Sequence, residues 1–243
     1  MKKLAELKCG ARFTYAGVEW VKLDDTDGGA LALAAEPVFE LAFDEENCND
    51  WRESSLRWKL NGPFLDELIA EGADRAAFLD LESDLTADDG MTDYGTATDK
   101  IALISDGLYR KFRALIPKIG CWWWTLTPWT CDPEYSCSVR YVASSGAVDW
   151  DGAYIGRRGV RPLCNMKSDI LVSVQGEESA DDQEERRAAA VEEAAEAVME
   201  TLGEYAVSLW GDVLAAVVSS IFKSKLDAEE IMQEEKAKRA AEG

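Results

Sequence analysis

The sequence has 243 residues and no histidine. That absence excludes Ser-His-Asp and Cys-His nucleophile pairs, HExxH zinc sites and the histidine-based iron triad. Cations are scarce: 26 Lys and Arg stand against 47 Asp and Glu, a formal net charge of -21. Binding to phosphate backbones draws on a cation excess, so nucleic acid is excluded as a partner, and anionic membrane surfaces repel the chain. The stretch MKKLAELKCGARFTY carries no secretory apolar run, because Glu6, Lys8 and Arg12 interrupt it. Cys9, Cys48, Cys121, Cys131, Cys137 and Cys164 show neither CxxC nor paired zinc spacing. Without an export signal, free thiols are expected; whether Cys131 and Cys137 bridge their loop stays open. No GxxxxGK[ST] and no strand-linked GxGxxG is present, so no phosphate cradle is expected. Asp84, Asp88, Asp89 and Asp93 share a loop without the EF-hand spacing and read as a solvated acidic stretch. No cofactor and no metal site are expected.

What is present excludes wholesale disorder: 47% of residues are hydrophobic and 9% aromatic. The length suits one large or two modest domains. Composition shifts near residue 176. Every Pro, every Cys and all Trp but Trp210 precede it, and an Ala- and Glu-rich stretch follows. This predicts a compact head over 1–176 and an acidic helical tail over 177–243.

Within the head, Val18–Leu23 alternates, DDTDGG is a turn cluster and Ala30–Ala35 follows, the signature of a hairpin. Trp51–Leu60 and Pro63–Ala70 read as two short helices parted at Asn61-Gly62. Residues 80–99 read as loop, Ile101–Ser105 as a buried strand and Asp106–Leu115 as a helix. Val139–Ala143 and Val160–Leu163 read as strands. In the tail, Val191, Ala195, Val198, Leu202, Tyr205 and Leu209 recur at heptad-like steps, continued by Val213, Val217 and Ile221. A helix over 188–222 with such a face must bury it, which predicts a homo-oligomer or docking to a larger particle. The run 205–222 approaches the length of a membrane span, but Asp212 at its middle opposes insertion by about 2.5–3.5 kcal/mol.

The unusual segment is 121–164, CWWWTLTPWTCDPEYSCSVRYVASSGAVDWDGAYIGRRGVRPLC. Consecutive tryptophans on a strand alternate between faces, so some rings are core and some surface. Trp, Tyr and Arg among adaptable polar neighbours is the composition of binding hot spots, and side chains on turns of a rigid scaffold suit recognition better than catalysis. The ligand-binding set comprises Leu126, Trp129, Thr130, Asp132, Glu134, Tyr135, Ser138, Asp149, Trp150, Asp151, Tyr154, Ile155, Arg157 and Arg158. The competing reading is a Trp cluster that is merely core, strongest for Trp122 and Trp123.

The order VEWVKLD, WRESSLRWKLNGPF, DKIALIS, CWWWTLTP, GVRPLC resembles a C-type lectin-like domain family of phage and bacterial proteins, DUF6273-like, over nearly all of residues 10–166. Trp51, Ser54, Leu56, Arg57, Trp58, Leu60, Asn61 and Phe64 carry the family pattern, with Lys59 as one substitution. The stretch SSGAVDWDGAYIGRRGVRP is similar to the variable region of proteins diversified by retroelements, which ends in a G-G-V-R-P-like anchor. The resemblance implies an α+β fold: a lectin-like head with short antiparallel strands and two or three short helices, followed by the all-α tail. It implies no enzyme but a receptor-binding or virion-surface protein of a phage, assembled in the host cytoplasm, whose partner is a protein or cell-surface receptor of a host. The alternative is a cytoplasmic bacterial interaction protein of the same fold. The family's calcium signature, Glu-Pro-Asn, is missing, which opposes calcium-mediated sugar binding. Related folds include formylglycine-generating oxidases; only Cys131 and Cys137 are placed to supply their cysteine pair, and acidic surroundings raise thiol pKa values.

Overall fold

A computed structural model describes residues 1–174 and 220–221. The chain divides into two units, 1–177 and 178–243, and the first holds every element named here. Its strands are β1 (Lys2–Lys3), β2 (Arg12–Tyr15), β3 (Val18–Thr26), β4 (Gly29–Ala34), β5 (Phe39–Leu41), β6 (Phe78–Leu79), β7 (Leu81–Asp84), β8 (Thr96–Asp99), β9 (Ile101–Ala102), β10 (Trp123–Pro128), β11 (Ser138–Val142), β12 (Val148–Gly152), β13 (Arg158–Val160), β14 (Leu163–Lys167) and β15 (Leu171–Val174). Its helices are α1 (Ser55–Lys59), α2 (Leu65–Ala70) and α3 (Asp106–Phe112).

An eight-stranded sheet runs β1-β15-β2-β3-β4-β14-β6, with β9 also paired to β14. A five-stranded sheet runs β12-β11-β10-β13-β5, in which β10 and β13 are parallel. Strands β7 and β8 form a separate ladder. The described residues are 36% strand and 18% helix, which corrects the α+β expectation to a mostly β fold. Hairpin pairing extends through segments where the sequence shows only turns and acids: 80–99, expected as loop, holds the β7–β8 ladder. No all-helical tail belongs to the described fold. The expected stripe at 191–221 and the 188–222 helix fall, but for residues 220 and 221, outside the described residues. Among the described residues no helix is long and apolar enough to cross a membrane.

The hairpin expected over 18–35 is present, but its strands run deep into the DDTDGG cluster. Thr26 pairs with Gly29, leaving Asp27 and Gly28 as the turn, and Gly28 takes φ +72. The two helices expected over 51–70 are one 16-residue helical run, and it starts only at Ser55. Asn61-Gly62-Pro63 lies in a π turn over Leu60–Phe64, which accommodates the proline's missing N–H. The Asn61 side chain holds that turn in place: its Nδ2 donates to the carbonyls of Arg57 and Ile101, and its Oδ1 accepts from the amides of Lys100 and Ile101. Nearby, Asp99 accepts from the Trp51 indole at 2.9 Å and pairs with Arg57 at 2.9 Å, and Ser54 caps α1 by accepting from the Arg57 amide. The W-x-x-S-x-L-R-x-W pattern therefore stitches residues 51–64 to 99–101. Trp58 is the exception, 71% exposed.

The core has two clusters. One gathers Phe13, Trp20, Phe43, Trp51, Phe78 and Trp124; the other gathers Val21, Leu33, Ile104, Tyr109, Trp123 and Val142. Strand β10 separates them, sending Trp124 to the first and Trp123 to the second.

Candidate functional site

Along β10 the tryptophans alternate as strand geometry requires. Trp122 and Trp124 both contact Tyr141, Trp122 stacked at 5.4 Å and Trp124 edge-on. Trp123 points the other way and meets Tyr109 edge-on. Trp124 is fully buried, whereas Trp122 is 43% exposed and not the core residue its neighbours suggest.

The β11–β12 ribbon sets the rest of the surface. Arg140 pairs with Trp150, Tyr141 with Asp149 and Val139 with Asp151. Side chains of directly opposed residues share a face. One face therefore carries Arg140 and Trp150; the other carries Val139, Tyr141, Asp149 and Asp151.

Two aromatic groups result, one on each face of the ribbon. In the first, Trp129 stacks on Trp150 at 5.5 Å and 20°, and Tyr135 meets Trp129 edge-on at 6.4 Å. Trp150 and Tyr135 are about half exposed and Glu134 is exposed. Tyr135 sits in a tight turn in which Asp132 Oδ1 accepts from the Glu134 amide and the Asp132 carbonyl from the Tyr135 amide. Arg140, on the Trp150 face, is tied to Asp88.

In the second group the Arg158 guanidinium lies 4.5 Å from the Trp122 ring centroid and 4.8 Å from that of Tyr141, and pairs with Asp151. Burial pushes the Tyr141 phenol above its usual value, Asp149 adds to the rise and Arg158 opposes it. Arg158 and Asp151, both expected as contact residues, are thus partners of each other.

Three expected contact residues lie inside. Leu126 is on the covered strand β10, in the first core cluster. Thr130 and Ser138 are buried because their carbonyls accept from Asn49 Nδ2, at 2.9 and 3.0 Å, a clamp that joins the two ends of the 129–138 loop. Ile155 is half-buried against the core. Tyr154 and Arg157 are exposed. A Cβ at Gly152 would stand 2.7 Å from the Tyr154 ring, so the absent side chain is what lets that ring approach the strand end. Among the described residues, no ring contact, hydrogen bond or ion pair joins the Tyr154 or Arg157 side chain to either aromatic group. Sequence reasoning missed Trp122, Tyr141 and Arg140.

Strand β12 is a sheet edge. The amides of Trp150 and Gly152 face away from β11, and each donates to the carboxylate of the residue before it, Asp149 and Asp151, at 2.9 Å. Beneath the surface, the GVRP segment is fixed. Gly159 donates to the Trp122 carbonyl at 2.7 Å, and a Cβ there would stand 2.7 Å from the Pro37 ring. Arg161 is fully buried, its Nε donating to the Ala34 carbonyl and its guanidinium 4.6 Å from the Trp123 centroid.

The acidic loop is spoken for locally. Asp84 accepts from Thr86, Asp88 pairs with Arg140, and a hydrogen bond from Thr130 holds the Asp89 carboxyl below its ordinary value. Among the described residues no three His, Cys, Asp or Glu side chains converge as metal ligands. All six cysteines are free, and burial pushes the Cys131 thiol up, with Asp93 and Asp89 adding to the rise.

Residues 71–168 match the model of a domain of unknown function, DUF6273. The match takes in both aromatic groups and the GVRP segment but leaves out the VEWVKLD and WRESSLRWKLNGPF stretches. No curated protein and no solved structure matches the chain.

Proposed function

We propose that this protein is a non-enzymatic binding protein that presents an exchangeable set of side chains on a fixed β framework to a host protein or cell-surface receptor, as part of a phage particle. The observation that carries this reading is the contrast within 121–164. Trp150, Tyr135, Tyr154 and Arg157 stand out from an edge strand and from turns, while Trp123, Trp124, Gly159 and Arg161 are locked. Half-exposed aromatics on a rigid backbone are the usual anchors of a binding hot spot. The finer kinship, with lectin-like proteins diversified by retroelements, is part of the same proposal. It rests on the GVRP anchor and the residue mix before it.

Catalysis has less support. A buried thiol among carboxylates, such as Cys131, is a poor nucleophile, because the thiolate is disfavoured.

Sequencing the gene across isolates tests the reading. Substitutions are expected to concentrate at Trp129, Asp132, Glu134, Tyr135, Trp150, Tyr154 and Arg157 and to spare Gly159–Pro162. Even scatter along the chain would overturn it. Labelling of virions with an antibody to the head tests the particle role, and its absence from particles would remove that role.

A further inference from the structure

We propose that the Trp129–Trp150–Tyr135 face receives the guanidinium of an arginine in a basic segment of the partner. The inference rests on the recognition reading above and names the chemistry of the partner.

The argument starts from where this molecule puts its own cations. Arg158 lies against Trp122 and Tyr141, and Arg161 lies over Trp123. Arg52 and Arg113 lie over Tyr94 and Tyr109. Among the described residues no cation lies over Trp129, Trp150 or Tyr135. The nearest candidate on the same ribbon face, Arg140, is engaged by Asp88. Among the described residues, the Trp129–Trp150 stack is therefore a solvent-facing aromatic pair with no cation from the chain itself over its rings.

Its border is acidic. Glu134 is exposed in the turn that carries Tyr135, and Asp132 stands two residues before Glu134. An aromatic face offers a negative quadrupole to a cation, and neighbouring carboxylates add charge-assisted hydrogen bonds. The second group shows the finished arrangement within the same sheet: a planar guanidinium against two rings, closed by a carboxylate, Asp151. The first group has the rings and the carboxylates and lacks only the guanidinium. A net charge of -21 draws a basic segment toward the chain from a distance.

The test uses the full chain labelled with 5-fluorotryptophan and followed by 19F NMR. The probe is a short Gly-Arg repeat peptide, with a Gly-Glu repeat and a neutral oligosaccharide as comparisons. Phe variants at Trp129 and Trp150 assign the two signals. The arginine peptide is expected to move the Trp129 and Trp150 signals saturably. Glu134→Gln should weaken the effect about two- to fivefold, the loss that matches a modest ionic or cation–π contribution. The Trp20, Trp51 and Trp124 signals report that each variant is folded. The proposal is overturned if those two signals stay still, or if Trp150→Ala binds the peptide as the parent does, which would assign the attraction to bulk charge. If the neutral oligosaccharide moves them and the arginine peptide does not, the cationic partner falls while the recognition surface stands. Even scatter of natural substitutions would remove the recognition reading without bearing on arginine binding.

Discussion

Trp129 and Trp150 stack with ring centroids 5.5 Å apart, one ring from the loop after β10 and the other from the sheet edge. The contact ties the 129–138 loop to the β11–β12 ribbon from outside the core. Trp150→Ala removes a half-exposed ring, so its cost to stability should stay near about 1 kcal/mol, the range of one aromatic pair. Its cost to partner affinity should be about 2 kcal/mol or more if the ring anchors the ligand. Thermal melts and binding isotherms on the same variant separate the two. Equal losses in both would make Trp150 a structural residue.

Gly159 is expected to be far less tolerant. A Cβ at this position meets the Pro37 ring at 2.7 Å in a strand bonded on both sides. Gly159→Ala should destabilise the head by about 1–3 kcal/mol, the usual range for overpacking. A urea midpoint equal to the parent's would mean that Pro37 moves freely and that the GVRP segment is no anchor.

Arg158→Lys keeps the charge and loses the plane. The guanidinium lies against two rings and pairs with Asp151, a geometry an ammonium cannot reproduce. The expected loss is about 1 kcal/mol in chemical denaturation. Trp122 should also become more accessible to acrylamide quenching. Unchanged quenching would show that Trp122 is held by Tyr141 alone.

Tyr94 gives the chain an alkaline limit. Its hydroxyl donates to Asn49 Oδ1 at 2.8 Å, and burial pushes its pKa to about 12 from 10.0. The folded state thus holds the proton more tightly than the unfolded one. The stabilising contribution is complete below pH 10 and is lost as pH rises through about 12. Tyr94→Phe should flatten the stability profile over that window. A variant with the parent's slope would assign the alkaline loss to other groups.

Arg161 carries a guanidinium with no hydrogen-bond partner at either terminal nitrogen, and burial lowers its pKa to about 10. Replacing such a buried ion by an apolar side chain of similar volume is often neutral or stabilising. Arg161→Met should melt at or above the parent's temperature. A fall of several degrees would mean that the contact with Trp123 and the bond to Ala34 outweigh the burial of charge.

The sequence marks the β3–β4 hairpin and β11 clearly, because alternation and an Asp-Gly turn are local signals. It marks Asn61-Gly62-Pro63 as a break, and the structure makes it a π turn, because Asn61 bonds the nearby Arg57 carbonyl and three backbone groups of Lys100 and Ile101 that lie far along the chain. The parallel pairing of β10 with β13 leaves no local trace at all. For the surface, the residue types of 129–158 fit the proposed recognition role, but their directions depend on strand pairing. Leu126, Thr130 and Ser138 turn inward because of a covered strand and one buried asparagine. Arg158 and Asp151 are consumed by each other, a pairing set by the return of the chain through β13.

The two outward amides of β12 have a consequence for how far this ribbon can change. Asp149 and Asp151 occupy donors that would otherwise be open to any passing extended chain. Positions 149 and 151 are therefore confined to short side chains able to accept a proton donor, while position 150 between them is free of that duty. At this rim position 150 is open to change, and the acceptors on either side of it keep the edge strand from pairing with another chain.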